Sequence, residues 1–106
     1  MPKSIYPVVI NTAVTASTCS WNTLKMRAGV LTHVYIVTNL STTTFDFKLI
    51  DSNSIVAYDT SRREKTATYE LDDEVHVPMA GGIYTLRIYN HSSSGETFKG
   101  RLMIEE

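Results

Sequence analysis

The sequence has 106 residues, enough for one domain, since a chain of that size buries roughly 65% of the surface its unfolded form exposes. Ten Lys+Arg against eleven Asp+Glu leave a net charge of -1, so there is no electrostatic case for nucleic acid or an anionic membrane. The single Cys19 rules out an internal disulfide and no secretory leader opens the chain; the longest purely apolar run, Pro7 to Ile10, is far short of the ~20 residues of a membrane helix.

Ser and Thr supply 24 residues, and the branched Cβ of Thr suits a pleated surface, which predicts strands throughout. Ile5 to Ile10 is β-branched and apolar but carries Pro7, whose missing N–H removes one ladder bond. That predicts an edge strand or an extended arm within residues 1–14. Asn11 to Ser20 alternates Thr, Ala, Val and Ser with no large anchor before Trp21, as in a weakly packed strand or loop. Gly29 precedes the strongest strand, Val30 to Thr38. There Val30, Val34 and Ile36 share one parity and Leu31, Tyr35 and Val37 the other, so both faces are partly covered. Thr43 to Ile50 sets Phe45, Phe47 and Leu49 against Asp46 and Lys48, the pattern of one packed and one wet face. The polar turn Asp51 to Ser54 leads back through Ile55 to Tyr58 as a hairpin. Thr60 to Lys65 is charged and aperiodic, a solvated loop tip. Ala67 to Leu71 and Glu74 to Val77 are short strands around Asp72-Asp73-Glu74, and Pro78 to Gly82 is a turn. Ile83 to Asn90 and Thr97 to Ile104 form a second hairpin around the turn formers His91 to Glu96. Gly100 interrupts the last strand and marks a bulge or the close approach of another backbone. The fold class is all-β: a single β-sandwich domain over residues 1–106, jelly-roll-like or Greek-key, of about eight antiparallel strands.

Few residues suggest chemistry. No Gly-x-Ser-x-Gly elbow is present, and Cys19 beside Trp21 reads as a small core hydrophobe. His33, His76 and His91 are far apart and fit no zinc spacing. Asp51-x-Asn53 and Asp72-Asp73-Glu74 offer oxygen donors of the kind calcium uses, but the EF-hand spacing is absent and Asp and Asn are common turn residues. Arg62, Arg63 and Lys65 form a basic tip flanked at a distance by Tyr58 and Tyr69, superficially like a single-strand nucleic-acid binder; Glu64 and the acidic trio neutralise it. The rings of Trp21, Tyr6, Tyr35, Tyr58, Tyr69, Tyr84 and Tyr89 offer a sugar-stacking face. Tyr84, however, shares parity with Leu86 and Ile88, and Tyr35 with Leu31 and Val37, which assigns those two to the core. No catalytic residue, cofactor or metal ligand is expected, and the chain is not expected to be an enzyme.

Two stretches carry a resemblance: Phe45 to Tyr58 (FDFKLIDSNSIVAY), and Val75 to Tyr89 (VHVPMAGGIYTLRIY) with the closing Thr97 to Ile104 (TFKGRLMI). They resemble the strand, turn and Gly-x-Tyr-x-Leu-x-Ile closing hairpin of small jelly-roll domains. The pattern is similar to bacterial pre-peptidase C-terminal domains and to short β-sandwich proteins of tailed-phage virions, including capsid decoration (cement) proteins. It covers about residues 43 to 104, and neither family carries a catalytic motif there. A starting Met, no leader or linker and no attached catalytic module favour the virion family, because a pre-peptidase domain trails an enzyme. The resemblance then implies a non-enzymatic structural protein of the phage virion, made in the host cytoplasm and placed on the capsid surface. It would stabilise the head by contacts with capsid or other virion proteins, as a homo-oligomer, without nucleic acid or membrane partners. A carbohydrate-binding β-sandwich module and a tail or head-tail connector component are the alternatives. Partner contacts are expected at Ile5, Tyr6, Val8, Val9 and Ile10, too apolar for a free terminus and suited to adding a strand to a neighbour, and at Arg62 and Arg63. The same apolar segment suits equally the first strand of the chain's own sheet.

Overall fold

The computed structural model describes residues 5–14, 19–22, 25–39, 43–91 and 96–106, with the backbone course alone for 5–14, 19, 21, 22 and 96. Nine strands run through them: β1 (Ile5–Val14), β2 (Cys19–Asn22), β3 (Gly29–Thr38), β4 (Thr44–Ile50), β5 (Val56–Asp59), β6 (Ala67–Thr68), β7 (Glu70–Met79), β8 (Thr85–Tyr89) and β9 (Glu96–Glu105). No helix of the described residues is long and apolar enough to cross a membrane.

Eight of these strands behave as one long antiparallel hairpin wound on itself. β4 pairs with β5, β3 with β7, β2 with β8 and β1 with β9, so the chain runs out through four strands and back along their partners. Two further pairings, β3 with β9 and β4 with β8, roll that ribbon into two sheets, β1-β9-β3-β7 and β2-β8-β4-β5. This is jelly-roll winding. The short β6 links the sheets, pairing Thr68 with both Thr44 of β4 and Glu70 of β7. The expected antiparallel sandwich is the one observed, and residues 5–14 form its first edge strand, paired with β9 from Ile5↔Glu105 to Val14↔Glu96.

Alternation builds the core. Phe45, Phe47 and Leu49 of β4, Leu86 and Ile88 of β8, Phe98, Leu102 and Ile104 of β9, and Leu31, Val34 and Ile36 of β3 are all buried. Burying such a side chain contributes roughly 1.5–3 kcal/mol before chain entropy is counted. Phe45 and Phe98 meet edge to face between the sheets, with ring centroids 4.9 Å apart and planes at 78°, the favoured arrangement of two ring quadrupoles.

β3 breaks the simple period. Its register slips between Leu31 and His33 against both β7 and β9, and the hydroxyl of the intervening Thr32 donates to the Met103 carbonyl at 3.2 Å. The bulge puts Leu31 on the buried side with Val34 and Ile36 and leaves Tyr35 and Val37 half-exposed. The expectation that Tyr35 belongs to the core with Leu31 therefore fails, because a period of two does not survive an inserted residue. Tyr84 is in the core as expected, its hydroxyl donating to the Ala80 carbonyl at 2.9 Å.

Three further expectations are corrected. β8 and β9 belong to different sheets and do not pair, so the connection through His91 crosses the sandwich; turn formers mark a reversal without naming the strand that receives it. The acidic trio does not separate two strands. β7 runs through it unbroken, and the chain turns instead at Tyr69, held at φ 69°. Asp46, expected on a wet face, is buried.

Candidate functional site

The loop predicted as a basic tip is a folded turn with its own anchors. It leaves β5 at Asp59 and closes through Arg63 N–H to the Asp59 carbonyl (3.3 Å), Glu64 N–H to Ser61 (3.3 Å) and Lys65 N–H to Thr60 (2.8 Å). Thr60, fully buried, fastens it to β4. Its N–H donates to the Phe47 carbonyl at 3.0 Å, its hydroxyl accepts from the Phe47 N–H at 2.9 Å, and that hydroxyl donates to Asp46 at 2.8 Å.

Three buried carboxylates lie under and beside this turn, and each is occupied by the fold. Asp46 accepts from the Thr60 and Thr66 hydroxyls (2.8 and 2.6 Å) and from the Asn90 amide (3.0 Å). Asp59 accepts from the Ser61 N–H at 3.1 Å and from the Tyr89 hydroxyl, with Lys48 Nζ at 3.8 Å and Arg62 Nε at 3.7 Å. Asp73 takes a two-pronged grip from Arg63, Nε at 2.7 Å and Nη2 at 3.0 Å, and a third bond from the Tyr58 hydroxyl at 2.8 Å. The Arg63 guanidinium also stands 5.8 Å from the centre of the Tyr58 ring, within cation–π range. A shallow groove of about 250 Å³ runs beside the turn, lined by Val56, Ala57, Tyr58, Asp59, Arg62, Arg63 and Val77.

The electrostatics follow from this geometry. Burial pushes the Asp73 carboxyl up, but the Arg63 fork, the Tyr58 hydroxyl and the charges of Arg63 and Lys65 outweigh it and hold the group below its ordinary range. Asp46 is likewise raised by burial and, on balance, lowered by Thr66, Asn90, Thr60 and the charge of Lys48. Tyr58 is driven far above the phenol range, first by burial and then by Asp73. Tyr89 is pushed up to about 12 by burial and by Asp59. Unfolding returns these groups to near ~3.9 for Asp and ~10 for Tyr. The folded carboxylates have the lower pKa, so the stability they add is present above about pH 4 and lost as pH falls through their folded values. The tyrosines have the higher folded pKa; their share is present below about pH 10 and lost as pH rises further. Melting temperatures are expected to fall away on both flanks of a neutral plateau. A midpoint that stays level from about pH 5 down to about pH 2 contradicts the acid half of this account.

The predicted contact residues fall in two separate places. Arg62 and Arg63 lie together on the turn, Arg62 exposed and Arg63 committed to Asp73. Ile5, Tyr6, Val8, Val9 and Ile10 lie on β1, at the opposite edge of its sheet from β7; their side chains, like those of Cys19 and Trp21, lie outside the described residues. The acidic trio cannot converge on a cation, since Asp72 and Glu74 are exposed while Asp73 is buried. Asp51 spends one oxygen on the N–H groups of Asn53 and Ile55 (2.8 and 2.9 Å), the turn role expected of it. Among the described residues no three His, Cys, Asp or Glu are grouped as metal ligands. Sequence reasoning missed Asp46, Asp59 and Thr60; the one available signal was a carboxylate beside Phe45 and Phe47 facing a Thr-rich segment.

No protein family matches the sequence, and neither does any curated protein. Among solved structures, a structure of infectious bursal disease virus, Gt strain, is similar with a TM-score of 0.43 and 6% identity, covering 97% of this chain and 32% of that one. One of the Gx strain is similar with a TM-score of 0.40 and 6% identity, covering 98% and 31%. The chain spans about a third of the length of those chains.

Proposed function

We propose that this chain is a non-enzymatic structural subunit of a virus particle, decorating and stabilising the capsid through protein–protein contacts. The observation that carries the reading is the use of its polar groups. Every buried carboxylate among the described residues is engaged by a hydroxyl, amide or cation of the same fold and braces the turn against its sheets, the use expected of a structural protein. The jelly-roll winding supports the reading by analogy, since capsid and lectin domains share it. Surfaces for assembly are at hand. Among the described residues no strand pairs with the outer side of β1, and an open edge of ten residues is a template for strand addition. Ile5, Tyr6, Val8, Val9 and Ile10 are assigned to that contact, and the exposed Arg62 to a second one.

The test uses heads of the virus that encodes the chain, assembled without it. Purified protein is expected to co-sediment with them and to raise the temperature at which they rupture. Heads that neither bind it nor gain stability overturn the reading. Retention on a polysaccharide column, with or without calcium, moves the chain to the lectin class, and binding to isolated tails moves it to the tail.

A further inference from the structure

The outer face of the β1-β9-β3-β7 sheet sorts its charges by strand. On β7, Glu70, Asp72 and Glu74 are exposed and alternate with the buried Leu71 and Asp73. On β9, Lys99 and Arg101 are exposed on either side of Gly100. β3 lies between the two, and the register lines up the columns. Tyr35 stands opposite Asp72 on one side and Arg101 on the other, and Val37 opposite Glu70 and Lys99. Tyr35 donates to Glu70 at 3.1 Å, and the His33 ring hydrogen-bonds to Asp72, which holds the acidic column in place.

Acids and bases are two strands apart, roughly 9.6 Å between backbones, with the side chains of Tyr35 and Val37 between them. Among the described residues neither Lys99 nor Arg101 forms a salt bridge. One symmetry operation makes such a face complementary to itself. A two-fold axis lying in the face along β3 exchanges left and right. It lays the β7 acids of each copy over the β9 bases of the other, with the half-exposed Tyr35 and Val37 of both copies at the centre. An axis across the strands superposes acid on acid. Glu105, at the far end of β9, is level with Pro78 across Val30, so the favoured axis brings no like charges together. Aligned strands are also a common way for two sheets to pack. With the axis on β3 the strands β9, β3 and β7 of the two copies overlap and β1 lies outside the overlap; three ten-residue strands cover a plane of roughly 14 by 34 Å, on the order of 490 Å² per copy, the size of a weak and reversible association.

We propose that this face is the interface of an isologous homodimer, its two-fold axis parallel to β3. The proposal goes beyond the virion reading and does not rest on it. The test is sedimentation equilibrium of the whole chain at low ionic strength, where such pairs are least screened. The wild type is expected to dimerise with rising concentration and to lose mass on addition of salt. E70K/D72K and K99E/R101E are each expected to stay monomeric, and a mixture of the two to form a heterodimer, because at positions 70, 72, 99 and 101 one then presents only bases where the other presents only acids. That recovery also shows that both variants are folded. The fourfold swap is expected to dimerise like the wild type, and R87E, on the outer side of β8 in the other sheet, to leave the mass unchanged. A wild type that is monomeric at every concentration, or charge-inverted variants that dimerise alone or fail to pair when mixed, overturns the proposal.

Discussion

Replacing Gly100 by alanine is expected to abolish the folded state or to lower its stability by more than about 4 kcal/mol, the range reserved for a few severe mechanisms. A Cβ at this position would lie 1.9 Å from the Tyr35 carbonyl oxygen, 2.8 Å from the Ile36 Cα and 2.9 Å from the Tyr35 carbonyl carbon. All three are main-chain atoms, so no side chain can swing aside. They belong to β3, which is held on its other side by β7, while β9 is held on its other side by β1. Making room means parting β3 from β9 at the centre of the sheet that carries Ile36, Phe98 and Leu102 into the core. G81A is the matched control. Its new methyl meets the Ala28 nitrogen at 3.3 Å, tight but tolerable, and a change within about 1 kcal/mol is expected. Urea melts of the two variants decide the point, and a G100A protein with the wild-type midpoint refutes the account.

The same glycine shows how far the sequence could be followed. A lone Gly inside an apolar strand pattern announces a bulge or a close backbone approach, and the approach is there. Phe45, Phe47 and Leu49 announced the inner face of β4 for a similar reason, since a clean period of two needs only local information. What failed needed more than that. The inserted Thr32 reversed the parity of β3, and no propensity marks such a bulge. The turn after Tyr89 joined two sheets instead of two neighbours, a choice made by long-range pairing with β4 and β9's own partners. Asp46 looked like a solvated residue until Thr60, Thr66 and Asn90, from 14 to 44 positions away, closed over it. The candidate site was legible only as charge. Arg62 and Arg63 were visible as a basic pair, but their opposite fates were set by Asp73, a residue whose burial the acidic run around it concealed.

Truncating Arg63 to alanine is expected to cost about 3 kcal/mol. The Asp73 side chain is only 4% exposed, and without Arg63 its carboxylate keeps the hydrogen bond from the Tyr58 hydroxyl and the more remote charge of Lys65. Removing one member of a buried ion pair typically costs about 3–5 kcal/mol, because the other is left charged and dry. Arg63 itself is 40% exposed, so water enters the vacated space and the lower end of that range applies. R63K should fall between, since an ammonium retains the charge but cannot reproduce the fork that reaches both oxygens of Asp73. In the R63A background D73N should recover part of the loss by removing the stranded charge, and the acid fall of the R63A melting profile should be shallower than the wild type's, because Asp73 without Arg63 no longer has the lowered folded pKa that makes its protonation destabilising. An R63A protein within about 0.5 kcal/mol of wild type contradicts this assignment. The distinction bears on the proposed capsid contact as well. Weaker binding by R63A would report a loosened turn, whereas R62A changes an exposed side chain whose nearest charge is 3.7 Å away. Binding lost in R62A with the melting temperature unchanged therefore identifies the basic tip as a true contact.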